Sequence, residues 1–122
     1  MISKSDFEIL KNKISTVGKL KVKIISDSMS PFIKIGDQIE ILPLVRHPQF
    51  GEVIVFYDQN RLNCHFFLKY ELQLGAPHYL TIGLKSKYPD LPVSPELVLG
   101  IASKLKKPLW LWPMLLYKII SF

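Results

Sequence analysis

Cysteine is nearly absent: Cys64 is the only one in 122 residues. An internal disulfide and any multi-cysteine metal site are therefore excluded. Long apolar runs are missing too, since no stretch reaches the roughly 18–20 apolar residues that a membrane-spanning helix needs. The nearest, Pro108 to Phe122 (PLWLWPMLLYKIISF), is broken by Pro113 and Lys118. Met1 to Lys23 mixes charge with apolar residues throughout, so no signal peptide is expected there. Acidic residues are the scarcer sign, 10 against 16 Lys and Arg, for a formal net charge of +6. That balance suits an anionic membrane surface, nucleic acid or an acidic partner. The lysines are dispersed, with no helix-turn-helix or aromatic RNA-binding signature beside them, which argues against nucleic acid. Repeats, low-complexity tracts and linkers are also lacking, and the length suits one domain over 1–122.

What is present is a folding composition, 48% apolar and 21% charged, with nine prolines spread along the chain. Residues 1–19 hold an amphipathic helix, Ser5 to Lys19. Ser5 and Glu8 have capping-box spacing, Phe7, Leu10, Ile14 and Val17 share one face, and Gly18 is a stop. From Leu20 the period changes to two, which predicts a strand, and Ser26 to Pro31 follows as a polar loop. Further strands are expected over Gln38–Leu44, Glu52–Tyr57, Arg61–Tyr70, Tyr79–Ile82 and Leu97–Leu105. Short strands punctuated by Gly and Pro predict a mainly β domain across 20–106, a coiled antiparallel sheet or partial barrel. Residues 107–122 form an apolar C-terminal segment.

A serine nucleophile needs an exposed hydroxyl, a base within reach and donors for the oxyanion. Ser28 follows a strand directly, in a loop stiffened by Pro31. His65 is the best base: strand alternation puts Asn63, His65, Phe67 and Lys69 on one face and Leu62, Cys64, Phe66 and Leu68 on the core face. A Cys64–His65 pair is thereby disfavoured, and Cys64 reads as a small core residue. Lys69, roughly 13 Å along the strand from His65, reads as a solvated strand end. His47 and His78 read as solvated loop residues.

Four segments occur in an order that resembles the type I signal peptidases and, more distantly, the LexA-like self-cleaving repressors of the same fold. They are Ser26-Asp27-Ser28-Met29-Ser30-Pro31 with Gly36-Asp37; Gly51-Glu52-Val53-Ile54-Val55-Phe56; Asn63-Cys64-His65-Phe66; and Thr81-Ile82-Gly83 through Asp90 to Val98-Leu99-Gly100. The likeness spans Ile25 to Ser103. It implies Ser28 as nucleophile and His65 as base, the histidine pattern of the archaeal and endoplasmic-reticulum type. It implies Asp90 as the acid that orients His65, and Ser26 with the Ser28 N–H as the oxyanion hole. No metal or organic cofactor is implied. The substrates implied are signal or leader peptides of precursor proteins, held along a strand edge. Of three departures, one lies outside the site, where the short amphipathic helix stands in place of the family's usual N-terminal spanning helix, and two lie within it: Phe66 replaces the usual arginine, and Leu84 the aspartate of a Gly-Asp pair. The last two leave open a decayed, peptide-binding module. A LexA-like self-cleaving regulator is a further alternative, with little room for its extra parts.

The C-terminal segment carries Trp110, Trp112 and several large aliphatics beside Lys106, Lys107 and Lys118. That pattern suits a monotopic membrane contact, giving a membrane-associated protein. It suits equally a segment docked on its own domain or on a partner chain, as in an oligomer, with a cytoplasmic location.

Overall fold

The computed structural model describes residues 2–120. The ends of the apolar tail, Ser121 and Phe122, and the initial Met1 lie outside the described residues. Helix α1 (Lys4–Val17) opens the chain and ends at Gly18 in the left-handed region, φ 89°. The capping box sits two residues earlier than the Ser5–Glu8 spacing predicts. Ser3 Oγ accepts from the Asp6 N–H at 3.1 Å, and Asp6 Oδ2 accepts from the Ser3 N–H at 3.2 Å. Glu8 is instead one turn from Lys4, with which it forms an exposed ion pair. Phe7 and Ile14 are buried, whereas Val17 is exposed despite sharing their spacing, because it lies in the last turn.

Six strands follow: β1 (Leu20–Lys23), β2 (Gln38–Leu42), β3 (Val53–Asp58), β4 (Arg61–Gln73), β5 (Ala76–Ile82) and β6 (Val98–Ser103). They form one sheet in the order β1-β2-β6-β3-β4-β5, with every pair antiparallel. The sheet is mainly what the strand pattern predicts, but it is open, with β1 and β5 as its edges, and so is not a closed barrel. The β4–β5 hairpin is longer than the expected Arg61–Tyr70 and Tyr79–Ile82. Its turn is Leu74-Gly75, both at positive φ (51° and 80°), as a two-residue hairpin turn requires. Leu74 disguises that turn in the sequence. Pro77 is tolerated because β5 is an edge strand.

Two apolar layers flank the sheet. The larger unites Phe7 and Ile14 of α1, Met29 and Ile33, Ile41, Val53, Val55, Phe66, Leu68 and Leu84. It also takes in Leu111 and Leu115 of the C-terminal helix α2 (Leu111–Ile120). The smaller joins Ile54, Phe56, Phe67, Tyr79, Val93 and Val98 on the opposite face. β3 therefore lies buried on both sides, and the segment after β5 crosses the second face. That segment is held by Tyr79 and Val93, which exchange backbone hydrogen bonds of 2.8 and 2.9 Å. A single 3-10 turn, Pro95–Leu97, then leads into β6. Among the described residues, no helix is long and apolar enough to cross a membrane.

Candidate active site

The loop carrying Ser28 leaves the sheet after β1 and returns at β2 through a pinned neck. The Ile24 N–H donates to the Asp37 carbonyl and the Gly36 N–H to the Ile24 carbonyl, each at 2.8 Å. Gly36 takes φ 94°, which a side chain would oppose. Within the loop, Met29 and Ile33 are buried and the Ile33 N–H bonds the Met29 carbonyl at 2.8 Å. Apolar anchors thus flank Ser28 and leave its half-buried hydroxyl facing β4. The Ser30–Pro31 peptide is cis.

His65 sits on β4 opposite Ile54 of β3, and its ring packs edge-on against Phe56 with centroids 5.8 Å apart. Ser28 Oγ lies 3.1 Å from His65 Nε2. On the other side of the ring, Asp90 Oδ2 lies 2.6 Å from Nδ1. A carboxylate can only accept, so Nδ1 carries the proton, Nε2 is the acceptor and the Ser28 hydroxyl donates to it. The imidazole is only 12% exposed and the Asp90 carboxyl 29%. The structure thus brings together the three residues that the sequence singles out, from a loop, a strand and the segment after β5.

Thr81 is the member that sequence reasoning missed. Its hydroxyl donates to Asp90 Oδ2 at 2.7 Å, and its carbonyl accepts the Asp90 N–H at 2.8 Å. It is fully buried on β5 among Leu80 and Ile82. A hydroxyl in so apolar a run needs a partner, and that was the available signal. We expect Asp90→Asn to lower any hydrolytic activity roughly 10³-fold, because an amide can leave the imidazole in the wrong tautomer. Thr81→Val should cost about tenfold, one hydrogen bond's worth, with Thr81→Ser restoring the rate. Unchanged turnover in Asp90→Asn would reduce Asp90 to a loop residue.

The turn after β5 touches both partners of the dyad. The Lys85 N–H donates to the Ser28 carbonyl at 3.2 Å, and Lys85 Nζ reaches Asp27 at 3.0 Å. Gly83 faces His65 so closely that an added Cβ would lie 3.2 Å from Nε2. From α2, Lys118 Nζ donates to the Ser86 carbonyl, and burial lowers its pKa below the usual lysine value. Lys118 is thus tied to the turn and is not the free interfacial cation its sequence context suggests.

The expected oxyanion pair takes a different form without substrate. The Ser28 N–H donates to Ser26 Oγ at 3.2 Å, so the two groups face one another. An oxyanion would replace that bond, taking the Ser28 N–H and the rotatable Ser26 hydroxyl. Phe66 and Leu84, two of the three departures, are core residues. Phe66 stacks on Phe32 at 5.8 Å, and both positions are buried. His47 and His78 are not free loop groups: His47 Nδ1 lies 3.1 Å from the Tyr79 hydroxyl, and His78 belongs to β5 with Ser94 Oγ 3.2 Å from its Nε2. Lys69 is exposed in mid-strand, since β4 runs on to Gln73.

Cys64 turns from His65 into the larger layer, where burial pushes its thiol up to about 12. At pH 8 the thiolate fraction is then on the order of one in ten thousand, and only the thiolate attacks. Iodoacetamide should alkylate Cys64 far more slowly in the native chain than in urea. Fast native alkylation would contradict this burial. Among the described residues, no group of three His, Cys, Asp or Glu side chains is placed to hold a metal ion.

No protein-family model matches this chain, and no curated protein matches it in sequence. The functional reading therefore stands on the geometry above and on the residue pattern.

Proposed function

We propose that the chain is a serine endopeptidase of the signal-peptidase type, cleaving extended signal or leader peptides through an acyl-enzyme. The observation that carries this reading is the hydrogen-bonded series Ser28–His65–Asp90. His65 takes the Ser28 proton as Ser28 Oγ attacks the scissile carbonyl, then returns it to the leaving amine. Asp90, itself held by the Thr81 hydroxyl, fixes the ring's orientation and tautomer. Water, activated by the same imidazole, releases the acyl group.

A cleft beside Ser28 supports a peptide substrate. Its volume is about 140 Å³, and Val22, Ile24, Met29, Val55, Leu62 and Cys64 make its lining largely apolar. One wall is β1, an edge strand. The other is the start of β4, where Arg61 to His65 pair with β3 alone because β5 joins only at Phe66. An extended peptide can add to such edges, as in other strand-addition complexes. A preference for small side chains just before the cut is what the signal-peptidase resemblance implies. The core placement of Phe66 and Leu84 weakens the decayed-module alternative, because neither withdraws a polar group from the dyad.

The test is a degenerate library of extended peptides digested by the full chain and read by mass spectrometry. Cleavage should centre on bonds following small residues and vanish with Ser28→Ala. A library left intact by the wild-type chain under all pH conditions would favour a binding module.

A further inference from the structure

Helix α2 has two apolar faces, and the protein uses only one. Leu111 and Leu115 are completely buried against the domain. On the outer side of α2, Leu116 is 51% exposed and Ile120 80%, and in the turn that leads into it Leu109 is 88% exposed and Trp110 49%. Four large exposed apolar side chains within residues 109–120 are a concentration of apolar surface, unlike scattered single exposures. Lysines outnumber acids around them, with Glu52 near Lys107 and Glu40 on Lys104 as the acidic neighbours. From Leu97 onward the chain carries Lys104, Lys106, Lys107 and Lys118 and no acidic residue. Lys104 pairs with Glu40 and Lys118 with the Ser86 carbonyl, while Lys106 is exposed and Lys107 lies over the Trp112 ring, 5.4 Å from its centroid.

We propose that this outer face of α2 lies flat in the surface of an anionic lipid bilayer. The helix has ten residues, far too short to span, but its apolar side can enter the acyl boundary while Trp110 sits at headgroup level. Lys106, exposed at the helix entrance, meets the lipid phosphates directly, while half-buried Lys107, beside Glu52 and the Trp112 ring, adds positive charge behind it. A second copy of the chain fits this face less well, because it would bring another net charge of +6 and the same lysines against it. The inference does not depend on the peptidase reading, and its test needs no substrate.

The test is co-sedimentation of the full chain with phosphatidylcholine vesicles, with and without phosphatidylglycerol, at low salt. The wild-type chain should bind the anionic vesicles at least about tenfold more strongly than the neutral ones, as two lysines near a charged surface provide. Salt should weaken that binding. Trp110→Ser, Leu116→Ser and Ile120→Ser combined should lower the partition coefficient at least about tenfold, with an unchanged thermal midpoint because the three side chains are exposed. Equal partitioning of variant and wild type overturns the proposal, as does a wild-type chain that stays in solution with both vesicles. Dimers that the same substitutions abolish, without vesicle binding, overturn it in favour of a second copy.

Discussion

Ser28→Ala is expected to lower peptide hydrolysis by about 10⁴-fold or more, and His65→Ala by a similar factor. The double variant should be no slower than either single one. The reason is geometric. Ser28 Oγ and His65 Nε2, 3.1 Å apart, act as one unit, and the hydroxyl is a poor nucleophile without a base to take its proton. Once either is gone, the other has nothing to do. Residual rate would come from the cleft and from the Ser26 and Ser28 donors. Steady-state kinetics on any peptide found by library digestion would measure this, with circular dichroism confirming that each variant folds. Losses that multiply in the double variant would mean that the two residues act separately and that the hydrogen bond between them is incidental.

Gly100→Ala is the second large effect, this time on the fold. Gly100 lies on β6 opposite Val55 of β3, just before the register shift at Phe56. There the sheet coils so tightly that an added Cβ would stand 2.2 Å from the Leu42 carbonyl oxygen and 2.6 Å from Ile41 Cγ2. The first neighbour is backbone and cannot rotate away, so β2 and β6 would have to part. Overpacking with backbone displacement costs about 3 kcal/mol or more. For a chain of this size that lowers the thermal midpoint by roughly 10–15 °C. Gly18→Ala is the useful contrast: no atom lies within 4 Å of its added Cβ, leaving only the cost of the left-handed cap. Calorimetry that finds Gly100→Ala as stable as the wild type would show that β2 and β6 do not approach so closely.

Strand alternation was the most legible signal. It separates His65 from Cys64 and places each on its observed side of β4, because a period of two leaves no choice once Phe66 and Leu68 are taken inward. Ser28 was not legible from its loop alone: β1 ends at Lys23, four residues short of it, and only the resemblance of Ser26 to Pro31 to a peptidase segment singled it out. What stayed hidden depends on contacts distant in sequence. Nothing local in Thr81 says that its hydroxyl meets Asp90, nor that the segment between them folds across the second face to deliver the carboxylate to His65. The capping box was misplaced by two residues because Ser3 and Ser5 each precede an acid at the same spacing. Only the position of Phe7 in the core decides between them. The hairpin turn at Leu74-Gly75 was missed because leucine rarely takes positive φ. The tail showed its apolar character but not its division, with Leu111 and Leu115 facing the core and Trp110 and Ile120 facing out.

Ser28 is expected to form a covalent acyl intermediate, which intact-mass spectrometry of the acid-quenched protein detects. The full chain would be mixed with a short peptide ester ending in a small residue, whose alcohol leaves readily so that acylation outruns hydrolysis. The expected result is a mass gain equal to one acyl group, mapped by fragmentation to Ser28, absent in Ser28→Ala and much slower to appear in His65→Ala. An unmodified wild-type chain that nonetheless hydrolyses the ester, or the same turnover in Ser28→Ala, would contradict it.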